Sequence, residues 1–178
     1  MDRYLMLDID GVLHPNKHPL DLRFADQLIH IVTEFDLKLV ISSDWRKNAR
    51  FPFLAQKLGP LGNYCVGMTP DFGAKESGPS DQISSRGLRQ SECEYWLSES
   101  AMRPLVRVAL DDMRSHYLPT CDWVFVCDPE VGLSPEVAGV FRTWLVGQIQ
   151  SQEAQHKDKA KLFSLSADFP ERRPISGF

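Results

Sequence analysis

Leu7-Asp8-Ile9-Asp10-Gly11-Val12-Leu13 is the stretch on which the fold of this chain turns. It follows Tyr4-Leu5-Met6, so a short, continuous apolar run ends in two carboxylates spaced by one residue. A run of that kind, bounded by a turn signal, is the pattern of a strand buried on both faces. In extended chain, side chains two apart face the same side, so Asp8 and Asp10 are expected to converge at the carboxyl end of the first strand. Open α/β sheets place their ligands there, and Gly11 lets the chain turn away tightly.

Working outward, similar apolar runs lie at 37–41, 64–68, 105–110 and 123–127. Between the first two strands, Phe24, Leu28, Ile31, Val32 and Phe35 form a helical stripe of the length a βαβ crossover needs. Helical patterning recurs at 53–58, where Gly59-Pro60 ends it, and around Cys93, Trp96 and Leu97. Ser134-Pro135 opens the clearest helix, a hydroxyl cap followed by a first-turn proline, with Val137, Val140, Phe141, Trp144, Leu145 and Ile149 expected on one side. This alternation predicts an α/β protein: a Rossmann-like, doubly wound, mainly parallel sheet with helices on both faces. Residues 69–87 and 151–178 lack core patterning, so the domain is expected to span 1–150, with 151–178 a tail either docked on it or mobile.

At 178 residues and 43% hydrophobic content the chain suits one domain with a sizeable core. A net charge of −4 and a pI near 5.7 exclude coating of nucleic acid by bulk electrostatics, though not a local basic pocket. Cys65, Cys93, Cys121 and Cys127 form no CxxC pair and are expected as reduced, mostly buried thiols. No basic leader precedes the first strand and no segment approaches membrane-spanning length, so a soluble cytoplasmic protein without a membrane partner is expected.

Two more strand ends carry chemistry. The run at 37–41 ends in Ser42-Ser43, hydroxyls that can donate to a phosphoryl oxygen, and Val108-Ala109-Leu110 ends in Asp111-Asp112. If Asp8, Asp10 and one of Asp111 or Asp112 share a site, each charge pair near 4 Å repels by about 4 kcal/mol at an effective dielectric of 20. Such a cluster calls for a cation, and hard oxygen donors beside a phosphate favour Mg²⁺.

These motifs, in this order, resemble the haloacid dehalogenase (HAD) superfamily, with its DxDG first motif, hydroxyl-bearing second motif and paired-aspartate last motif. More narrowly, LDIDGVLHP, LVISSDWR, the R-x-x-E-x-x-x-W-L pattern from Arg89, VALDDM and CDPEVGLSP resemble a small capless family that also occurs beside RNA-repair enzymes. The resemblance implies Asp8 as nucleophile and Asp10 as the group that protonates the leaving oxygen and then activates water. It implies Ser42 as a phosphoryl-binding hydroxyl, and a magnesium site made by Asp8, the Asp10 backbone carbonyl and Asp111 or Asp112. Many members have a lysine in the third motif; here Arg89 matches best, with Arg86 close by, and either guanidinium can bind carboxylate and phosphate oxygens. An acidic residue at position 10 favours phosphate over carbon–halogen chemistry. Both points where the superfamily inserts caps are short here, at 11–23 and 69–87, so no cap domain is expected.

The expected function is therefore a Mg²⁺-dependent phosphomonoesterase acting through an aspartyl-phosphate on Asp8, with a phosphorylated substrate of open class. The alternatives are a polynucleotide-end phosphatase in nucleic-acid repair and a non-catalytic module that keeps the fold. Among the remaining polar residues, Trp45 and Arg46 suit either the substrate mouth or packing on the sheet, while His14, His18 and Asp128 lie near the expected site and suit loop roles as well. Lys157, Lys159, Lys161, Arg172 and Arg173 alternate with acids and read as a solvated segment.

Overall fold

Alternate side chains of the first strand, β1 (Asp2–Leu7), enter two different cores in the computed structural model, which describes residues 2–16, 21–73, 87–99 and 104–167. Leu5 and Leu7 face one layer, Tyr4 and Met6 the other, and all four are fully buried. A strand with no polar face must be covered on both sides, which explains its unbroken apolar run. The same alternation continues in β2 (Leu37–Ile41) and β4 (Pro104–Asp111): Leu39, Ile41, Val106, Val108 and Leu110 join the first core, Val40 and Ala109 the second.

With β3 (Cys65–Met68) and β5 (Val124–Val126), these strands form one five-stranded parallel sheet in the order β3-β2-β1-β4-β5. The chain leaves central β1 toward β2 and β3, then crosses back to β4 and β5. The carboxyl ends of β1 and β4 therefore flank the topological switch point, where such sheets hold ligands.

Helices α1 (Ala25–Phe35), α2 (Phe51–Lys57) and α4 (Pro135–Ala167) cover the first face through Leu28, Ile31, Val32, Leu54, Phe141, Leu145 and Ile149. Helix α3 (Leu88–Glu99) covers the second with Cys93 and Leu97, together with Tyr117, Cys121 and Trp123 from the segment after β4. The fold is thus the expected Rossmann-like α/β sheet with helices on both faces, and no cap domain stands over the site among the described residues.

Ser134 caps α4 as its sequence suggests, accepting a hydrogen bond from Val137 N–H at 3.4 Å. The apolar stripe of α4 differs from expectation at one point: Val140 is 62% exposed, and Ala138 takes the buried place, giving a 138, 141, 145, 149 spacing. The segment after Ile149 continues the same helix to Ala167, beyond the expected boundary at 150. Its first turn docks on the body through Gln152, which brackets the Arg107 backbone (2.9 Å to N–H and to C=O), and Glu153, which pairs with Arg3 at 2.7 Å. Lys157, Lys159 and Lys161 are exposed on it; Arg172 and Arg173 lie outside the described residues. No described helix is long and apolar enough to cross a membrane.

Candidate active site

Strand register brings the first carboxylates together. Leu7 aligns with Leu110 across the β1–β4 pair, so Asp8 and Asp111 leave adjacent strands at the same height and on the same face, toward α3. Backbone pairing extends one step further, with Asp8 N–H donating to Leu110 C=O at 3.0 Å. One ligand oxygen from each of Asp8, Asp111 and Asp112 lies within 4.8 Å of the others.

Arg89, in the first turn of α3, is 4% exposed and reaches down onto this group. Its Nη1 lies 2.9 Å from Asp8 Oδ2 and 3.1 Å from Asp111 Oδ2, and its Nη2 donates to Asp44 Oδ1 at 2.9 Å. A planar guanidinium can serve three carboxylates in this way, whereas a lysine acts as a point charge. Burial opposes the Arg89 charge, but Asp8 and Asp111 more than offset it and hold the group cationic. Arg86 lies outside the described residues.

Asp111 is heavily committed. Its Oδ1 accepts from Met113 N–H at 2.8 Å, and its Oδ2 accepts from Arg89 and from the Tyr117 hydroxyl at 3.2 Å. Burial pushes its carboxyl upward, but His116, Arg89 and the Met113 N–H together hold it below the usual carboxylate range. Asp8 behaves oppositely: burial first, then the charge of Asp111, push it up to about 6 against the pull of Arg89, the Ile9 N–H and Ser43. Burial raises both carboxyls, and they part in direction because Asp111 has more donors and cations to offset it. Asp112 is half-buried and raised by burial and by Asp111. Its carboxylate fits over Gly11, where an added Cβ would stand 2.4 Å from Asp112 Oδ2. Gly11 has φ +67° as well, so both conformation and space require glycine here.

Asp10 stands apart from the acidic cluster. The extended backbone ends at Asp8: Val12 and Leu13 N–H both turn back to Ile9 C=O, at 3.2 and 2.9 Å, so the two-residue alternation no longer holds at Asp10. Its side chain, 46% exposed, has Oδ2 accepting from Trp45 Nε1 at 2.9 Å and Oδ1 3.2 Å from His14 Nε2. The His14 ring is fully buried, with Nδ1 donating to Pro15 C=O at 2.9 Å.

The second motif supplies two fully buried serines. The Ser43 hydroxyl bonds the Asp8 carboxylate, while the Oγ of Ser42, the expected phosphoryl-binding hydroxyl, is buried without a hydrogen-bond partner. The chain leaves β2 at Ser42 and turns, so that Ser43 caps the short 3-10 turn Asp44–Lys47. Arg46 does not line a mouth: it is 7% exposed, bonded to Ser42 C=O and Pro70 C=O and ion-paired with buried Glu92 of α3. Asp128 is exposed and caps a turn through Glu130 N–H at 2.9 Å. His18 lies outside the described residues. Asp44 and Tyr117 were not singled out in the sequence; Ser43 was named only together with Ser42, and Glu92 had a signal in its three-residue spacing from Arg89.

Three carboxylate oxygens gathered under a single buried guanidinium, with burial raising two of the three carboxyls, suit a hard divalent cation. A parallel sheet with a buried aspartate at the β1 tip and paired aspartates at the β4 tip is the core of a HAD-type, phosphatase-like hydrolase. Residues 4–138 match the family described as the HAD domain in Swiss Army Knife RNA repair proteins, and the chain belongs to that family. No curated protein and no solved structure gives a match.

Proposed function

We propose that the protein is a Mg²⁺-dependent phosphomonoesterase that forms an aspartyl-phosphate on Asp8. The observation that supports this most is Arg89 bridging Asp8 and Asp111 beside the Asp112 carboxylate, at the switch point of the sheet. Asp8 and Asp112 would hold the cation, together with the Asp10 carbonyl that the family resemblance implies. Asp111 is better suited to orienting Arg89, since its oxygens already accept from three donors. When bound, Mg²⁺ would neutralise the clustered carboxylates and polarise a phosphoryl oxygen.

The chain's own residues divide the remaining work. An Asp8 oxygen attacks phosphorus while the bond to the leaving oxygen breaks, and Asp10 gives that oxygen its proton. Asp10 then takes a proton from water, whose oxygen attacks phosphorus and restores the Asp8 carboxylate. Arg89 keeps Asp8 ionised and offers N–H groups to phosphoryl oxygens; the Ser43 hydroxyl adds a donor on the other side. Asp8→Asn should abolish Mg²⁺-dependent release of phosphate from an aryl phosphate, and beryllium fluoride should be retained by the wild type alone. A wild-type protein inert across nucleotides, sugars, phosphopeptides and oligonucleotides would remove the proposal.

A narrower reading, a phosphatase of polynucleotide ends, is favoured by the RNA-repair description of the family and by one surface feature. Phe53 is 51% exposed, Lys57 Nζ stands 5.1 Å over its ring and 5.8 Å over that of Trp45, and Arg50 is exposed alongside. Aromatic faces interleaved with cations suit a single strand. Faster hydrolysis of 3′- or 5′-phosphorylated oligonucleotides than of mononucleotides would support it. Four free cysteines, three of them buried, suit residence in the reducing cytoplasm.

A further inference from the structure

We propose that Trp45 is the positioning residue of the acid/base carboxylate: its indole N–H fixes the Asp10 side chain outside the metal cluster, in the orientation that proton transfer needs. The inference rests on the phosphomonoesterase reading above. Asp10 follows the end of β1 in a turn, bridged to His14, and its side chain is nearly half exposed, so its orientation depends on what the exposed carboxylate meets. An unanchored carboxylate so close to a site built for a cation would be drawn to the metal, where it could not carry a proton. The contact that prevents this spans 35 residues, with Trp45 Nε1 donating to Asp10 Oδ2 at 2.9 Å.

The donor is well supported. Trp45 is partly buried against the first core, and its backbone N–H bonds to Ser43 Oγ at 3.4 Å, so one capped turn places both the hydroxyl at Asp8 and the indole at Asp10. An indole N–H only donates, so Oδ2 is engaged whichever protonation state the carboxyl holds. The other oxygen, Oδ1, lies 3.2 Å from the ring of His14, which is immobilised by complete burial and by its bond to Pro15 C=O. Trp45 and His14 thus meet the two oxygens of Asp10 from two sides and restrict how the carboxyl can turn.

Trp45→Phe keeps most of the ring and removes the N–H. When the bond from phosphorus to the leaving oxygen breaks, its electron pair goes to that oxygen; an alkoxide must then take the Asp10 proton, whereas a nitrophenolate need not. With Mg²⁺ saturating, Trp45→Phe should slow single-turnover cleavage of an alkyl phosphomonoester by about tenfold or more beyond any loss on p-nitrophenyl phosphate, with KM little changed. Trp45→His, which can present a ring N–H, should recover part of the loss. Equal losses on both esters would mark Trp45 as structural only and overturn the inference while leaving the phosphatase reading intact; a wild type inert toward both esters would remove both. Should Trp45→Phe fail to fold, the wild-type indole N–H resonance of Trp45, assigned through its bonds, decides the contact: Asp10→Ala should shift it upfield and speed its exchange, and an unmoved resonance would overturn the proposal.

Discussion

Arg89 and Gly11 show how narrowly the site constrains single residues. Removing the guanidinium in Arg89→Ala leaves buried Asp8 and Asp111 facing each other without a counter-charge. Loss of one partner from a buried ionic group typically costs about 3–5 kcal/mol, and loss of a positioned donor about 100-fold or more in rate. Arg89→Ala should therefore lower both thermal stability and phosphate release, and Arg89→Lys should recover more of the stability than of the rate, as unfolding curves and turnover on an aryl phosphate will show. At Gly11 the expected defect is more selective. A Cβ in Gly11→Ala would meet Asp112 Oδ2 at 2.4 Å, and φ +67° adds strain of about 1 kcal/mol. The Asp112 carboxylate must move, so Mg²⁺ affinity measured by titration calorimetry should fall by about tenfold, within the range seen when groups that orient metal ligands are disturbed.

Among the elements, α3 is held to the body by buried ion pairs as well as by its apolar side. Its buried apolar residues are Cys93 and Leu97, whereas Glu92, 1% exposed, pairs with Arg46 and also accepts from Phe72 N–H at 2.9 Å. Glu92→Ala should destabilise the protein by about 3 kcal/mol in urea unfolding, leaving Arg46 buried with only backbone carbonyls and Asp44 for partners. Because Arg89 lies one turn earlier, turnover should fall with stability even though Glu92 touches nothing reactive. The strands and the carboxylates at their tips were legible in the sequence because a strand buried on both faces leaves a continuous apolar run and ends where polarity returns. What was not legible depends on long-range or turn geometry. The Arg46–Glu92 pair joins residues 46 apart, and Ser43 meets Asp8 where the chain turns into the short 3-10 segment. The extension of α4 past Ile149 also escaped notice, since its apolar stripe stops; Gln152 and Glu153 hold it instead through Arg107 and Arg3.

For the molecule as a whole, the site opposes the stability of the fold that carries it. Asp8 has its carboxyl raised to about 6 in the folded chain from 3.8, by burial and by Asp111, so folding favours its protonated form. Below pH 4 folded and unfolded chains both hold that proton and no penalty exists. As pH rises the unfolded chain loses the proton first, and stability declines until the folded group has also ionised, above about 6; the total loss is on the order of 2–3 kcal/mol. Asp8→Asn removes this titration without orphaning Arg89, which keeps Asp111 and Asp44. In chelator-treated protein, Asp8→Asn should therefore gain on the wild type in urea unfolding as pH is raised from 4.5 to 7.5, with the gap closing again toward acid. Adding Mg²⁺ at pH 7.5 should stabilise the wild type by mass action and the variant much less, narrowing or reversing the difference. A gap independent of pH would mean that Asp8 is not the carboxyl that folding raises, leaving Asp112, which burial and Asp111 also push upward, to account for it.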